Sequence, residues 1–168
     1  MGDTKAASFA GLYTAYARDV YRFAFCLSGD AAAAQDITSE TFLRVWTSTE
    51  PVRVTTVKSW LFVIARNLYL HERRTIRRRE PLDDRMASGQ SLEDDAAVKQ
   101  EFARVSAAMA QLPEIDRSAL SLRAVEGLPY EEIAAVLRIS IASAKVKVHR
   151  ARLRLGAICH EHLKGSHS

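Results

Sequence analysis

Residues 128–155, LPYEEIAAVLRISIASAKVKVHRARLRL, constrain the fold more than any other stretch, because two short runs of helical apolar spacing are separated by only a few residues. So small a gap allows a tight turn between two helices and little else. Ser140 is a good N-cap for the second helix. In that helix Ile141, Ala144, Val148, Ala151 and Leu155 recur at spacings of three and four, which makes them one stripe expected to be buried. From Arg138 to Arg154 there are six lysines and arginines and no acidic residue. Lys145, His149 and Arg152 form one row beside Ala142, Val146 and Arg150. Ala142 and Ser143 are small enough to leave the first-turn N–H groups open to a phosphate, and the long cations then reach base edges. The preceding helix buries Ile133, Ala134 and Leu137, and the small Ala134 permits a close helix crossing. The pair reads as a DNA-binding helix-turn-helix. A solvated amphipathic helix on an unrelated bundle is the alternative reading.

The chain has 168 residues, 48% of them hydrophobic, enough for one moderate core or two small helical ones. Two small domains fit its charge pattern better. Residues 80–101 hold seven acidic residues against two basic ones, and Pro81 and Gly89 interrupt any helix there. The expected organisation is an N-terminal domain over residues 1–80, an acidic flexible linker over 81–101, a C-terminal domain over 102–160 and a tail over 161–168. No apolar run approaches a bilayer span and no cationic leader with an apolar stretch opens the chain, so a cytoplasmic protein is expected. Cys26 and Cys159 are then expected as thiols, without a structural disulfide.

Both domains read as all-α, with no convincing strand. A first helix over residues 9–27 places Phe9, Leu12, Tyr16, Val20, Phe23 and Leu27 on one stripe and ends at Ser28-Gly29-Asp30. A second covers residues 31–46. A third begins near Thr56, is expected to bury Val57, Leu61, Ile64 and Leu68, and runs to Arg79. Opposite its apolar stripe lie Arg66, Asn67, Arg73, Arg74, Arg77 and Arg78, with His71 at the margin. Each domain therefore carries a basic helical face, as a protein touching a duplex at two places would. Trp60, Phe62 and Tyr69 lie nearby, and Phe62 and Tyr69 read as core.

Three motifs in order give the chain a resemblance to the extracytoplasmic-function sigma factors of bacterial RNA polymerase. DITSETFLRVW, residues 36–46, resembles the family's polymerase-clamp-binding helix. KSWLFVIARNLYLHERR, residues 58–74, resembles its downstream-promoter helix, and residues 120–155 its upstream-promoter domain, with Leu112-Pro113 where that domain usually begins. The resemblance implies two helical domains and no catalytic residue, cofactor or metal. It implies as partners core RNA polymerase, promoter DNA and an anti-sigma factor, often membrane-bound. It points to Asp36, Glu40 and Arg44 for polymerase docking. Lys58, Arg66, Asn67, His71, Arg73, Arg74, Arg77 and Arg78 would serve the downstream element, with base capture by the loop over residues 48–56. Ala142, Ser143, Lys145, Val146, Lys147, His149, Arg150 and Arg152 would serve the upstream one.

The chain departs from the family at three positions. Arg138 stands where the family often has Gly, and a left-handed backbone there costs an arginine about 1 kcal/mol. Val146 replaces a commonly polar residue on the reading face, favouring an apolar contact such as a thymine methyl. His71 stands where an acidic residue is common. Other readings are a sigma-like mimic that occupies an anti-sigma factor without binding DNA, and a plain helix-turn-helix repressor, which leaves residues 36–46 without a purpose. A metal sensor built on Cys159, His160 and His162 lacks a distant ligand pair to complete a tetrahedral site.

Overall fold

A computed structural model describes residues 2–49, 56–79 and 96–165. Helices α1 (Gly2–Ser28), α2 (Ala31–Thr47) and α3 (Val57–Arg79) form the N-terminal domain. The C-terminal domain holds α4 (Ala96–Ala110), α5 (Glu114–Leu120), a π-helical turn (Ser121–Val125), α6 (Tyr130–Leu137) and α7 (Ile141–Gly165). The protein is all-α, and no strand occurs among the described residues. Helix α4 begins inside the stretch read as linker, because Ala96 and Ala97 followed by Lys99, Gln100 and Glu101 are helix formers whatever their charge. The rest of that stretch, residues 80–95, lies outside the described residues. Helix α7 runs past residue 160 and takes residues 161–165 of the expected tail into its last turn.

The α1–α2 corner is set locally. Gly29 has φ +66°, its N–H bonds the Phe25 carbonyl at 2.8 Å, and Asp30 caps α2 by accepting from the Ala32 N–H at 2.9 Å. A Cβ at Gly29 would meet Ser106 Oγ at 3.2 Å in addition to the left-handed strain. On α1, Val20, Phe23 and Leu27 are buried, with Phe9, Leu12 and Tyr16 packed at the margin. The α3 stripe turns out broader and rotated: Leu61, Phe62, Ala65 and Leu68 are buried, Ile64 is half-buried, and Val57 at the helix start is 39% exposed. The reason is that α3 is covered on two sides, by α1 and α2 and by α6. Phe62 meets Phe23 edge to face, with ring centroids 5.0 Å apart.

The two domains pack against each other along α1 and α3. Their apolar interiors are continuous, running from Val20 and Phe62 to Leu122, Ile133, Ala144 and Val148. A smaller cluster of Met109, Leu112, Leu120 and Ala151 takes in Cys26 from α1 and Leu155 from α7. Arg117 is buried beside it and donates to the carbonyls of Met109 and Leu112 at 3.3 and 3.2 Å, satisfying the end of α4. It also donates to the Tyr69 hydroxyl at 3.0 Å, so Tyr69 belongs to the seam between the domains.

The turn between α6 and α7 keeps the left-handed geometry that usually calls for Gly. Arg138 sits at φ 55°, ψ 48°, and the Ile139 N–H bonds the Ala134 carbonyl at 3.0 Å. We expect Arg138→Gly to raise stability by about 1 kcal/mol and Tm by about 2–4 °C in a thermal melt. A lowered Tm would mean that the arginine side chain more than offsets its backbone strain.

Candidate nucleic-acid interface

Helix α7 is built from its cap outward. Ser140 Oγ accepts from the Ser143 N–H at 3.0 Å, and the Ala144 N–H bonds the Ser140 carbonyl at 2.9 Å. Ala144, Val148 and Ala151 are buried and Leu155 is half-buried, as the spacing requires. Ile141 is instead 42% exposed, because it occupies the first position of α7, at the edge of the turn. Ile133, Ala134, Val136 and Leu137 close the other side of the motif.

Lys145, Val146, His149, Arg150 and Arg152 are exposed on α7 together with Ala142, while Ser143 and Lys147 are half-buried. Val146, at 59% exposure, stands among the cations with its apolar side chain open to solvent. Lys145 Nζ lies 5.7 Å from the Tyr130 ring centroid and the Arg123 guanidinium 4.4 Å from it, so two cations share the Tyr130 ring. Arg150 differs from its neighbours. Its Nε and Nη2 grip the two oxygens of Asp116 at 2.9 and 2.7 Å, and the Asp116 side chain is wholly buried. That hydrogen-bonded carboxylate raises the Arg150 pKa further and fixes the guanidinium against α5.

On α3, Asn67, His71 and Arg74 are exposed and Arg73 is half-buried; the side chains of Arg77 and Arg78 lie outside the described residues. Lys58 and Arg66 are engaged by the other domain. Arg66 donates through Nε and Nη2 to Glu114 at 2.8 and 2.9 Å. Lys58 Nζ lies 3.7 Å from both Asp19 and Glu126 and donates to the Glu126 carbonyl at 3.3 Å. Arg22 holds the buried Glu126 carboxylate in a two-point contact at 2.9 and 3.0 Å, which raises the arginine's pKa. Ser59 donates to Glu132 at 3.1 Å. Sequence reasoning missed Arg22, Glu114, Asp116, Arg117, Glu126 and Glu132 as organisers of the site.

Asp36 and Arg44 are exposed on α2, Glu40 is half-buried, and Arg44 pairs with Glu40 at 3.4 Å. Asp36 and Glu40 line a groove of about 450 Å³ between α2 and α3, with Ile37, Leu43, Leu68 and His71. His71 thus joins the acidic groove as well as the margin of the basic face. Of the loop over residues 48–56, residues 50–55 lie outside the described residues. Cys159 and His160 are exposed near the end of α7, the His162 side chain is not described, and no metal-holding group occurs among the described residues. Cys26 and Cys159 are both free thiols, and no described helix is long and apolar enough to cross a membrane.

Comparison with known proteins matches residues 12–79 to sigma-70 region 2 and residues 102–155 to sigma-70 region 4. The chain is 33% identical over 152 residues to the ECF RNA polymerase sigma factor SigL of Mycobacterium tuberculosis, covering 88% of this chain and 86% of the relative. With SigM of Bacillus subtilis it shares 32% identity over 88% of this chain and 92% of the relative. Its fold superposes on the sigma factor RpoE of Bartonella quintana, solved in complex with the anti-sigma factor NepR, with a TM-score of 0.71 at 25% identity, covering 91% of this chain and 97% of that one. Region 2 thus covers α3 with its basic face and the α2 groove, and region 4 covers the Ser140-capped start of α7. With both regions present in order, the chain belongs to the extracytoplasmic-function sigma factors of RNA polymerase.

Proposed function

We propose that this sigma factor divides promoter reading between its two basic faces and docks on polymerase through the α2 groove. The upstream element is read by α7, with Lys145, Lys147 and His149 toward the duplex, Ala142 and Ser143 letting the backbone approach a phosphate, Val146 making an apolar base contact, and Arg150 and Arg152 at the phosphate rim. The observation that carries this reading is the Ser140-capped α7, which buries Ala144, Val148 and Ala151 and turns its cations outward. The downstream element is held by Lys58, Arg66, Asn67, His71, Arg73, Arg74, Arg77 and Arg78, and the loop over residues 48–56 takes the flipped base. Unstacking one base costs a few kcal/mol, which a pocket and backbone cations can offset, so opening needs no chemistry and we read the chain as non-enzymatic. Asp36, Glu40 and Arg44 contact core polymerase.

The domain limits expected from sequence, 1–80, 81–101 and 102–160, move in this reading to 1–80, 81–95 and 96–165, because α4 and α7 extend beyond them. A cytoplasmic location follows from the partners, and an anti-sigma factor is one of them, since a relative of the same fold is held by one. Added to core RNA polymerase, the protein is expected to direct run-off transcription from its cognate promoter while binding that DNA poorly by itself. Tight, sequence-specific binding by the free protein, with no polymerase association, would overturn the reading.

A further inference from the structure

We infer that Asp116 sets the base preference of α7: by gripping one edge of Arg150 it leaves the arginine a single outward fork, held in plane to take O6 and N7 of one guanine in the upstream element. The inference rests on the proposed reading that α7 faces the upstream duplex. It deepens that reading by moving Arg150 from the phosphate rim to a base edge, with Asp116 as its positioning residue.

A guanidinium has two edges that can each make a paired contact. The edge formed by Nε and Nη2 is filled by Asp116, at 2.9 and 2.7 Å. The edge formed by Nη1 and the second N–H of Nη2 carries no hydrogen bond among the described residues, and the Arg150 side chain is 52% exposed. Nor can Arg150 swing away freely. The Asp116 side chain is wholly buried and accepts from no other group among the described residues, so withdrawing the guanidinium would leave a buried, unpaired charge. A loose surface arginine samples many rotamers and can find a phosphate in several of them. This one has lost that freedom before DNA arrives, which suits a planar, two-point contact.

Its place on the helix selects a base over a phosphate. Successive residues turn by about 100°, so Ala142, Val146 and Arg150 form the line opposite the buried Ala144, Val148 and Ala151, with Lys145 and Lys147 on its two flanks. In a helix lying in the major groove the central line meets base edges and the flanks meet the two phosphate backbones. Guanine is the base that presents two acceptors there at the spacing of an arginine fork. No other cation on α7 is held by a carboxylate among the described residues.

The test uses core polymerase with the full chain on cognate promoters in which each upstream base pair is replaced in turn. With the wild type, replacing one G·C pair is expected to lower transcription roughly thirtyfold, and exchanging its guanine for 7-deazaguanine, which lacks the N7 acceptor, about tenfold. In Asp116→Asn, whose amide turns a donor toward the arginine edge, the penalty at that pair is expected to fall to about threefold, while penalties at the other pairs hold. Arg150→Lys keeps a charge for Asp116 but has no fork, and is expected to lose the same discrimination. Adding Asp116→Asn to it should change that discrimination no further, since Asp116 acts through Arg150. A contact that only braces α5 against α7 would instead weaken every promoter alike and leave the pattern of penalties intact. That result overturns the inference, as does a wild type that discriminates at other pairs but at no 7-deazaguanine-sensitive guanine, and both leave α7 standing as the upstream reader. A wild type indifferent to every upstream pair overturns that reading as well. Should Asp116→Asn lose helicity, Asp116→Glu is read in the same way, because it keeps the charge and displaces the guanidinium by a methylene; full discrimination in that variant overturns the inference.

Discussion

Replacing Lys145 and Lys147 together by alanine is expected to reduce run-off transcription from the cognate promoter by roughly thirtyfold, a loss of about 2 kcal/mol of promoter affinity in the polymerase complex. Lys145 is exposed and Lys147 half-buried on a helix whose opposite side is locked into the core, and no ion pair engages either lysine among the described residues. Alanine is a better helix former than lysine, so far-UV circular dichroism and Tm should hold. Each lysine also carries a charge against the duplex, so the double variant should show a slope of log affinity against log salt smaller by up to about 2. Transcription at the unaltered level would show that α7 faces the duplex with another side.

Arg150→Ala is the less informative substitution, although Arg150 shares the row. Removing its guanidinium would leave the buried Asp116 carboxylate without its cation, so any loss of transcription would mix DNA contact with destabilisation of the α5–α7 contact. Spacing places Arg150 on the outward side of α7, and it does lie there. Its partner is 34 residues away on another helix, and no periodicity reports that.

The same distinction separates what is legible in this chain from what is not. Helices α1, α2 and α3 follow from apolar spacing and from Gly29 and Asp30 at the corner, because those signals act within a turn or two of the residues that carry them. The Ser140 cap and the buried side of α7 are legible for the same reason. The start of helix α4 is hidden because its first residues adjoin an acidic run. The seam is hidden more deeply: Arg66–Glu114 and Arg22–Glu126 join residues 48 and 104 apart, and each of them alone looks like a solvated surface charge. The rotation of the α3 stripe toward Phe62 and Ala65 has the same origin, since a second covering layer from α6 widens the buried arc.

Reversing Asp36 and Glu40 to lysine is expected to weaken association with core polymerase by about a hundredfold, because like charges brought together at an interface cost several kcal/mol. The fold should tolerate the change. Asp36 is exposed, and the Glu40–Arg44 contact at 3.4 Å is a surface pair one helical turn apart, worth about 0.3–0.5 kcal/mol. What the reversal alters is the rim of a groove whose apolar floor is Ile37 and Leu68, with the exposed Leu43 beside it, a surface with the composition of a docking site and charge set to choose the partner. Gel filtration with core polymerase measures the association, and oligothymidine anisotropy on the same preparation checks that the basic faces remain intact. Loss of both activities would point to misfolding. Loss of polymerase binding alone would assign the groove to docking and separate it from DNA reading, even though His71 lies on both surfaces.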